Sequence, residues 1–234
     1  DKYSNANACI LGMTGAGKTF LMQIMALRLR QQGIQVFILA PLKGHEFAEV
    51  CNMIGGKYIR IAPSSMDCIN IMEIRKRTLN TNYEIHGVRR NDSILAEKIQ
   101  NLIDGAIVRT YKTFGITYDN DSLFDKDGRF KKMPTLKDLY NELLSKDKTK
   151  DLALMIEKFA VGSLSTLGGS TNVDLDNKYI VIDISEMNEH LKALGMFIAL
   201  DFVWDKAKES CIQKKVIFMD ELWKLIGTAG NRLA

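Results

Sequence analysis

Apolar and polar positions divide this chain into two kinds of stretch. Short continuous apolar runs occur at Ala8-Cys9-Ile10-Leu11, Val36-Phe37-Ile38-Leu39-Ala40, Tyr179-Ile180-Val181-Ile182 and Val216-Ile217-Phe218-Met219, with longer segments of helical period between them. A run apolar at consecutive positions and only four to six residues long predicts a strand buried on both faces of a parallel sheet. The first third therefore reads β-α-β. A strand over 8–11 is followed by a helix to about residue 32, stopped at Gly33, where glycine suits the position just past a helix end. A strand over 36–40 ends at Pro41, a short helix covers 46–53, and Gly55-Gly56 leads into a strand over 57–61. The last third repeats the alternation with a strand over 179–184, a helix over about 188–209 and a strand over 215–221. Strands alternating with helices in this way imply an α/β fold with a parallel-rich sheet flanked by helices.

The middle of the chain follows another rule. From about residue 83 to 162 it is polar, charged and mostly of helical period. Ile94, Leu95, Ile99, Leu102, Ile103, Ala106 and Ile107 form one apolar stripe behind a cap at Asn91/Asp92. Thr135 with Asp138, just after Pro134, predicts a second helix start, and a third helix is expected over 150–160. We expect three parts: a core segment over 1–82, an inserted helical subdomain over 83–162, and the second core segment over 163–234. The aspartates between Asp119 and Gly128 miss the spacing of a calcium loop, so a solvated turn at Asp127-Gly128 is expected.

Composition narrows the class. At 234 residues, 46% hydrophobic and 26% charged, the chain has material for one large globular domain. A net charge of +4 permits contact with nucleic acid or anionic lipid without arguing for it. Cys9, Cys51, Cys68 and Cys211 lack CxxC spacing and read as reduced core residues. The most apolar segment, 191–204, is interrupted by Lys192 and Asp201 and is too short to span a bilayer, so membrane contact is expected to be peripheral. His45, His86 and His190 have no metal-site spacing. Met22 and Met25 read as helix core.

The chemistry begins at Gly12-Met13-Thr14-Gly15-Ala16-Gly17-Lys18-Thr19, a complete GxxxxGK[ST] phosphate-binding template lying between an expected strand and a helix that opens with Phe20. Its glycines let successive backbone N–H groups converge on a β-phosphate, and the helix N-terminus adds positive potential. Lys18 would reach the β- and γ-phosphates, and the Thr19 hydroxyl would ligate Mg²⁺. ATP with Mg²⁺ is the expected ligand pair.

Such a loop serves kinases, GTPases, transporters and motors alike. The last apolar strand divides them, because it ends in Asp220-Glu221. A buried strand of this form would put Asp220 beside the metal held by Thr19, and Glu221 would orient the attacking water or accept its proton. That second carboxylate suits hydrolysis.

Together, GMTGAGKTF, residues 54–65 (IGGKYIRIAPSS), residues 171–187 (TNVDLDNKYIVIDISEM) and residues 216–226 (VIFMDELWKLI) resemble the ATPase domain of type IV secretion and conjugative transfer ATPases, the VirB-four-like branch of the HerA–FtsK motor class. The resemblance implies a RecA-like core with a helical insertion, assembly with itself into a hexamer or other ring, and ATP hydrolysis at the cytoplasmic face of a secretion apparatus. Membrane components and a coupling protein of the apparatus are the implied partners, with DNA as a further candidate. Two rivals stay open: a coupling-protein or FtsK/HerA-like DNA translocase, and a non-hydrolytic, nucleotide-gated scaffold.

Where many relatives end the second strand with Asp-Pro and an acidic-aromatic pair, this chain has Ala40-Pro41 and then Glu46-Phe47. Glu46 is thus open to two readings, a residue near the γ-phosphate or a surface helix residue. The resemblance also implies a central strand with a γ-phosphate sensor and an arginine finger beyond Ala234, and we expect the chain to be a fragment that hydrolyses ATP poorly. The basic clusters Arg75-Lys76-Arg77, Arg89-Arg90 and Arg129 with Lys131-Lys132 lack interleaved aromatics and read as solvated surface.

Overall fold

The computed structural model describes residues 7–13, 15–74, 94–208 and 212–221, excepting the side chains of residues 94–99. Two of the apolar runs make the centre of a sheet. β1 (Gln35–Ala40) and β3 (Tyr179–Asp183) are buried at every position and pair in parallel, with Ala40 opposite Asp183. β2 (Lys57–Arg60) lies on the far side of β3 and β4 (Lys215–Met219) on the far side of β1, so the order is β2-β3-β1-β4, all parallel. Parallel strands need crossover connections. Helix α2 (His45–Met53) supplies one between β1 and β2, and α6 (Glu189–Lys208) another between β3 and β4.

The pleat sends alternate side chains to opposite faces, and each face has its own cover. Phe37, Leu39, Ile180 and Ile182 pack with Met196, Ala199, Phe202 and Val203 of α6. Val36, Ile38, Ala40, Tyr179 and Val181 pack with Phe47 and Cys51 of α2 and with Met22 and Ala26 of α1 (Lys18–Gln31). Full burial of a side chain such as Phe37 or Phe47 contributes about 1.5–3 kcal/mol. This second layer seats α1, and with it the glycine loop, on the sheet. Gly33 ends α1 as expected. At φ 82 it turns the chain, donating to Arg30 O at 2.9 Å while Ile34 N reaches Leu29 O at 3.1 Å.

Four expectations need correction. β4 is only half-buried, with Met219 exposed, where burial on both faces was expected, because it has β1 on one side and no strand among the described residues on the other. Residues 8–11 form no strand: they have no regular secondary structure and are exposed, Leu11 at 88%. An apolar run becomes a strand only by bonding to a neighbour, and none among the described residues pairs with it. Cys9 is likewise exposed rather than core, although Cys51 and Cys68 are buried; Cys211 lies outside the described residues. Met25 is 38% exposed, on the outward side of α1 with Phe20 and Leu21, whereas Met22 is core.

Between β2 and β3 in sequence come α3 (Ile94–Thr113), α4 (Leu136–Leu144) and α5 (Lys150–Ala160). They bury a cluster of their own around Ala106, Leu136, Leu139, Leu143, Leu152 and Ala153. The start of α4 is capped as its sequence suggests, Thr135 N donating to the Asp138 carboxylate at 2.7 Å. The Asn91/Asp92 cap lies outside the described residues. The aspartate-rich loop spends its carboxylates on its own backbone: Asp125 accepts from Asp127 N at 2.9 Å and Arg129 N at 2.8 Å, and Gly128 turns at φ 72. The chain passages leading to and from these helices are stitched to each other. Asn172 accepts from Cys68 N at 2.8 Å and donates to Met66 O at 2.6 Å, and buried Asn70 donates to Pro134 O at 2.8 Å.

Candidate functional site

The glycine loop turns where its sequence permits. Gly15 and Gly17 have φ 82 and 80, a left-handed backbone that side-chain-bearing residues rarely adopt, and Ala16 N donates to Met13 O at 3.2 Å. Gly17 precedes α1 without a side-chain cap, and no acid stands in the first turn. The first N–H groups of a helix have no intrahelical partner, and the macrodipole puts positive potential there, so this end favours an anion. Lys18 Nζ donates to Gly12 O at 2.8 Å and Met13 O at 2.9 Å, which holds its ammonium over the loop. Thr19 is partly buried in the first turn of α1, Phe20 is 66% exposed, and Thr14 lies outside the described residues.

The acidic pair stands at the carboxyl end of β4. Asp220 N donates to Leu39 O at 3.0 Å, so the pair is held beside the end of β1, at the sheet edge where open α/β folds bind ligands. Glu221 N donates to Asp220 Oδ1 at 3.0 Å. Glu221 has φ 50, a left-handed backbone that costs a non-glycine residue about 1 kcal/mol. Burial first, and then the charge of Glu221, hold the Asp220 carboxyl above the usual carboxylate range; Glu46 pushes the same way and Lys43 opposes.

Glu46 combines features of both its sequence readings. It is exposed, paired with Lys43 at 3.4 Å, and close enough for its charge to act on Asp220. Its backbone is tied to the glycine-loop helix, since Gln23 Nε2 donates to Glu46 O at 2.9 Å.

One carboxylate at this edge was missed in sequence. Asp183 ends β3 at 3% exposure, accepting from Tyr58 Oη at 2.5 Å and from Ser185 N at 2.8 Å. A methyl group on Gly44, at the start of α2, would fall 1.9 Å from its carboxyl carbon. The signal was an aspartate closing an otherwise apolar run, but nothing in that run points to Gly44.

The described residues hold no cluster of three or more His, Cys, Asp or Glu side chains able to bind a metal, and His45 and His190 are exposed. Magnesium needs no such cage. It is a hard cation held through one or two carboxylates together with the phosphates of its nucleotide. Asp220, raised by burial and like charge, is a donor that a divalent cation would relieve, and the Thr19 hydroxyl is a hard oxygen, so both fit.

No curated protein matches the chain. The sequence model of the TraG P-loop domain family matches residues 1–232. Among solved structures, VirB4 of Thermoanaerobacter pseudethanolicus superposes with a TM-score of 0.67 at 26% identity, over 89% of this chain and 82% of that one.

Proposed function

The chain belongs to the TraG P-loop domain family, and from that premise we propose that it is an ATP-hydrolysing motor subunit energising a type IV secretion or conjugative DNA transfer apparatus. The carrying observation is Asp220-Glu221 at the carboxyl end of β4, beside the end of β1 and on the same sheet as the glycine-loop helix. The backbone N–H groups over residues 12–17 and the start of α1 bind the phosphates of ATP, and Lys18 turns its ammonium from the Gly12 and Met13 carbonyls to the β- and γ-phosphates. Thr19 and Asp220 hold Mg²⁺, which neutralises phosphate charge when bound with the nucleotide. Glu221 orients the attacking water and accepts its proton. Glu46 and Lys43 stand at the mouth of the same site.

The similarity to VirB4 supports a place on the cytoplasmic side of a secretion apparatus, reached through its membrane components and coupling protein, with the subunit assembled into a ring. No described helix is long and apolar enough to cross a membrane. Residues 83–162, between the sheet-forming parts over 1–82 and 163–234, are then a helical insertion.

Purified protein carrying Glu221→Gln should bind ATP as the parent does while turnover falls by about 10²–10⁴-fold, the usual worth of a general base. Lys18→Ala should lose binding itself. If both variants support DNA transfer as well as the parent does, catalysis is dispensable and the motor reading fails in favour of a nucleotide-gated scaffold. Stimulation of turnover by DNA would favour the translocase rival instead.

A further inference from the structure

Asp183 is buried at the carboxyl edge of the sheet, and the reaction proposed above gives it no task. Its Oδ2 accepts from Tyr58 Oη and its Oδ1 from Ser185 N, which fixes the plane of the carboxylate. Gly44 lies against it: an added Cβ would meet the carboxyl carbon at 1.9 Å and the two oxygens at 2.0 and 2.4 Å. Gly44 has φ −54, an ordinary helical value, so glycine is required there by the close approach and not by backbone conformation. The start of α2 has no side-chain cap bond of its own. Its place depends on what packs against it, Asp183 on one flank and Gln23 of α1, bonded to Glu46 O at 2.9 Å, on the other. Only Pro41, Leu42, Lys43 and Gly44 separate β1 from α2, so this short turn has little slack.

We propose that Asp183, held by Tyr58 and pressed against Gly44, is a positioning residue that sets the first turn of α2 and thereby aims Glu46 and Lys43 at the hydrolytic site. Buried and bonded to Tyr58 and Ser185, it acts through that turn. The inference rests on the ATPase reading. Misplacing a catalytic constellation by about 1 Å costs up to ~100-fold in rate, and a methyl wedged between Gly44 and Asp183 shifts the turn on that scale.

The test uses the full chain with ATP and Mg²⁺. Gly44→Ala should lower kcat about tenfold or more while KM for ATP stays within about twofold, because the glycine loop is untouched. Tyr58→Phe, which removes one hydroxyl and keeps the ring, should lower kcat several-fold with the same unchanged KM, and it carries the test if Gly44→Ala does not fold. The double variant Gly44→Ala/Asp183→Ser, in which the methyl has room, should be no slower than Asp183→Ser alone. In Asp183→Asn, hydrogen exchange at the Glu46 and Phe47 amides, bonded to Lys43 O and Gly44 O at 3.0 Å each, should quicken whether or not the protein turns over. Parental kcat in Gly44→Ala and Tyr58→Phe, or a raised KM with kcat unchanged, overturns the positioning role. A parent that binds ATP with no Mg²⁺-dependent turnover at all, as against the slow turnover expected of it, overturns the ATPase reading instead, and the exchange experiment then decides the placement of the turn by itself.

Discussion

Replacing Tyr179 by phenylalanine should stabilise this protein, which is unusual for a change in a fully buried residue. Tyr179 opens β3 at 0% exposure, and its ring fills the apolar layer between the sheet and helices α1 and α2. Its hydroxyl is buried and has no hydrogen-bond partner among the described residues; Arg30 Nε nearby shares that condition, although Arg30 Nη2 donates to Ile54 O at 2.6 Å. Burial, with the neighbouring Cys51 thiol adding to it, pushes the Tyr179 phenol up to about 12, so the group is neutral and simply desolvated. An unpaired buried hydroxyl costs about 1–3 kcal/mol, and phenylalanine removes that cost while keeping the ring packing. Allowing for the small void left by one oxygen, a gain of roughly 1–2 kcal/mol is expected, or a rise in Tm of about 2–4 °C per kcal/mol for a chain of this size. Urea titration at pH 7 should show a higher midpoint at unchanged slope, with ATP affinity preserved because the glycine loop does not move. A loss of about 1 kcal/mol or more would refute the reasoning. It would mean that the hydroxyl is satisfied, for instance through a buried water shared with Arg30 Nε.

Two further outcomes follow from the acidic pair. Because the folded-state pKa of Asp220 is raised, the folded protein keeps that proton to higher pH than the unfolded chain does, so its contribution turns destabilising as pH climbs from about 3.9 through the raised value. Without nucleotide and metal, Asp220→Asn should therefore melt higher than the parent at pH 7 and no higher at pH 3, while losing Mg²⁺-dependent turnover; an equal difference at both pH values would contradict this. At Glu221, φ 50 reverses the usual ranking of glycine and alanine. Glu221→Gly should be at least as stable as Glu221→Ala in thermal melts, since release of about 1 kcal/mol of strain offsets the roughly 0.5–1 kcal/mol entropic penalty of glycine, and a clearly less stable glycine variant would show that the backbone is not held in that region.

Much of this protein was legible before any coordinates. Continuous apolar runs marked β1 and β3 as buried parallel strands, because a strand covered on both faces has no polar side to show, and marked β4 as a parallel strand without showing that it lies half-buried at an edge of the described sheet. Gly33 and the Thr135/Asp138 pair marked helix ends through local bonds that need only neighbours in sequence. The phosphate-loop template and the Asp220-Glu221 pair were likewise visible as candidates, since each is a pattern of neighbours in sequence. Tertiary structure decided what depends on partners distant in the chain. The run at residues 8–11 carried a strand's composition and did not become one, because strand formation belongs to a pair and no single segment encodes its neighbour. Glu46 had two readings in sequence, and the fold adds what sequence could not show: an exposed ion pair with Lys43 and a charge that acts on Asp220, features of both readings. Asp183 lies 125 positions from Tyr58 and 139 from Gly44, yet it meets both. Sequence could show a carboxylate at the end of β3; only the folding of β3 against β1 and the start of α2 could show that the space beside it admits a glycine and nothing larger.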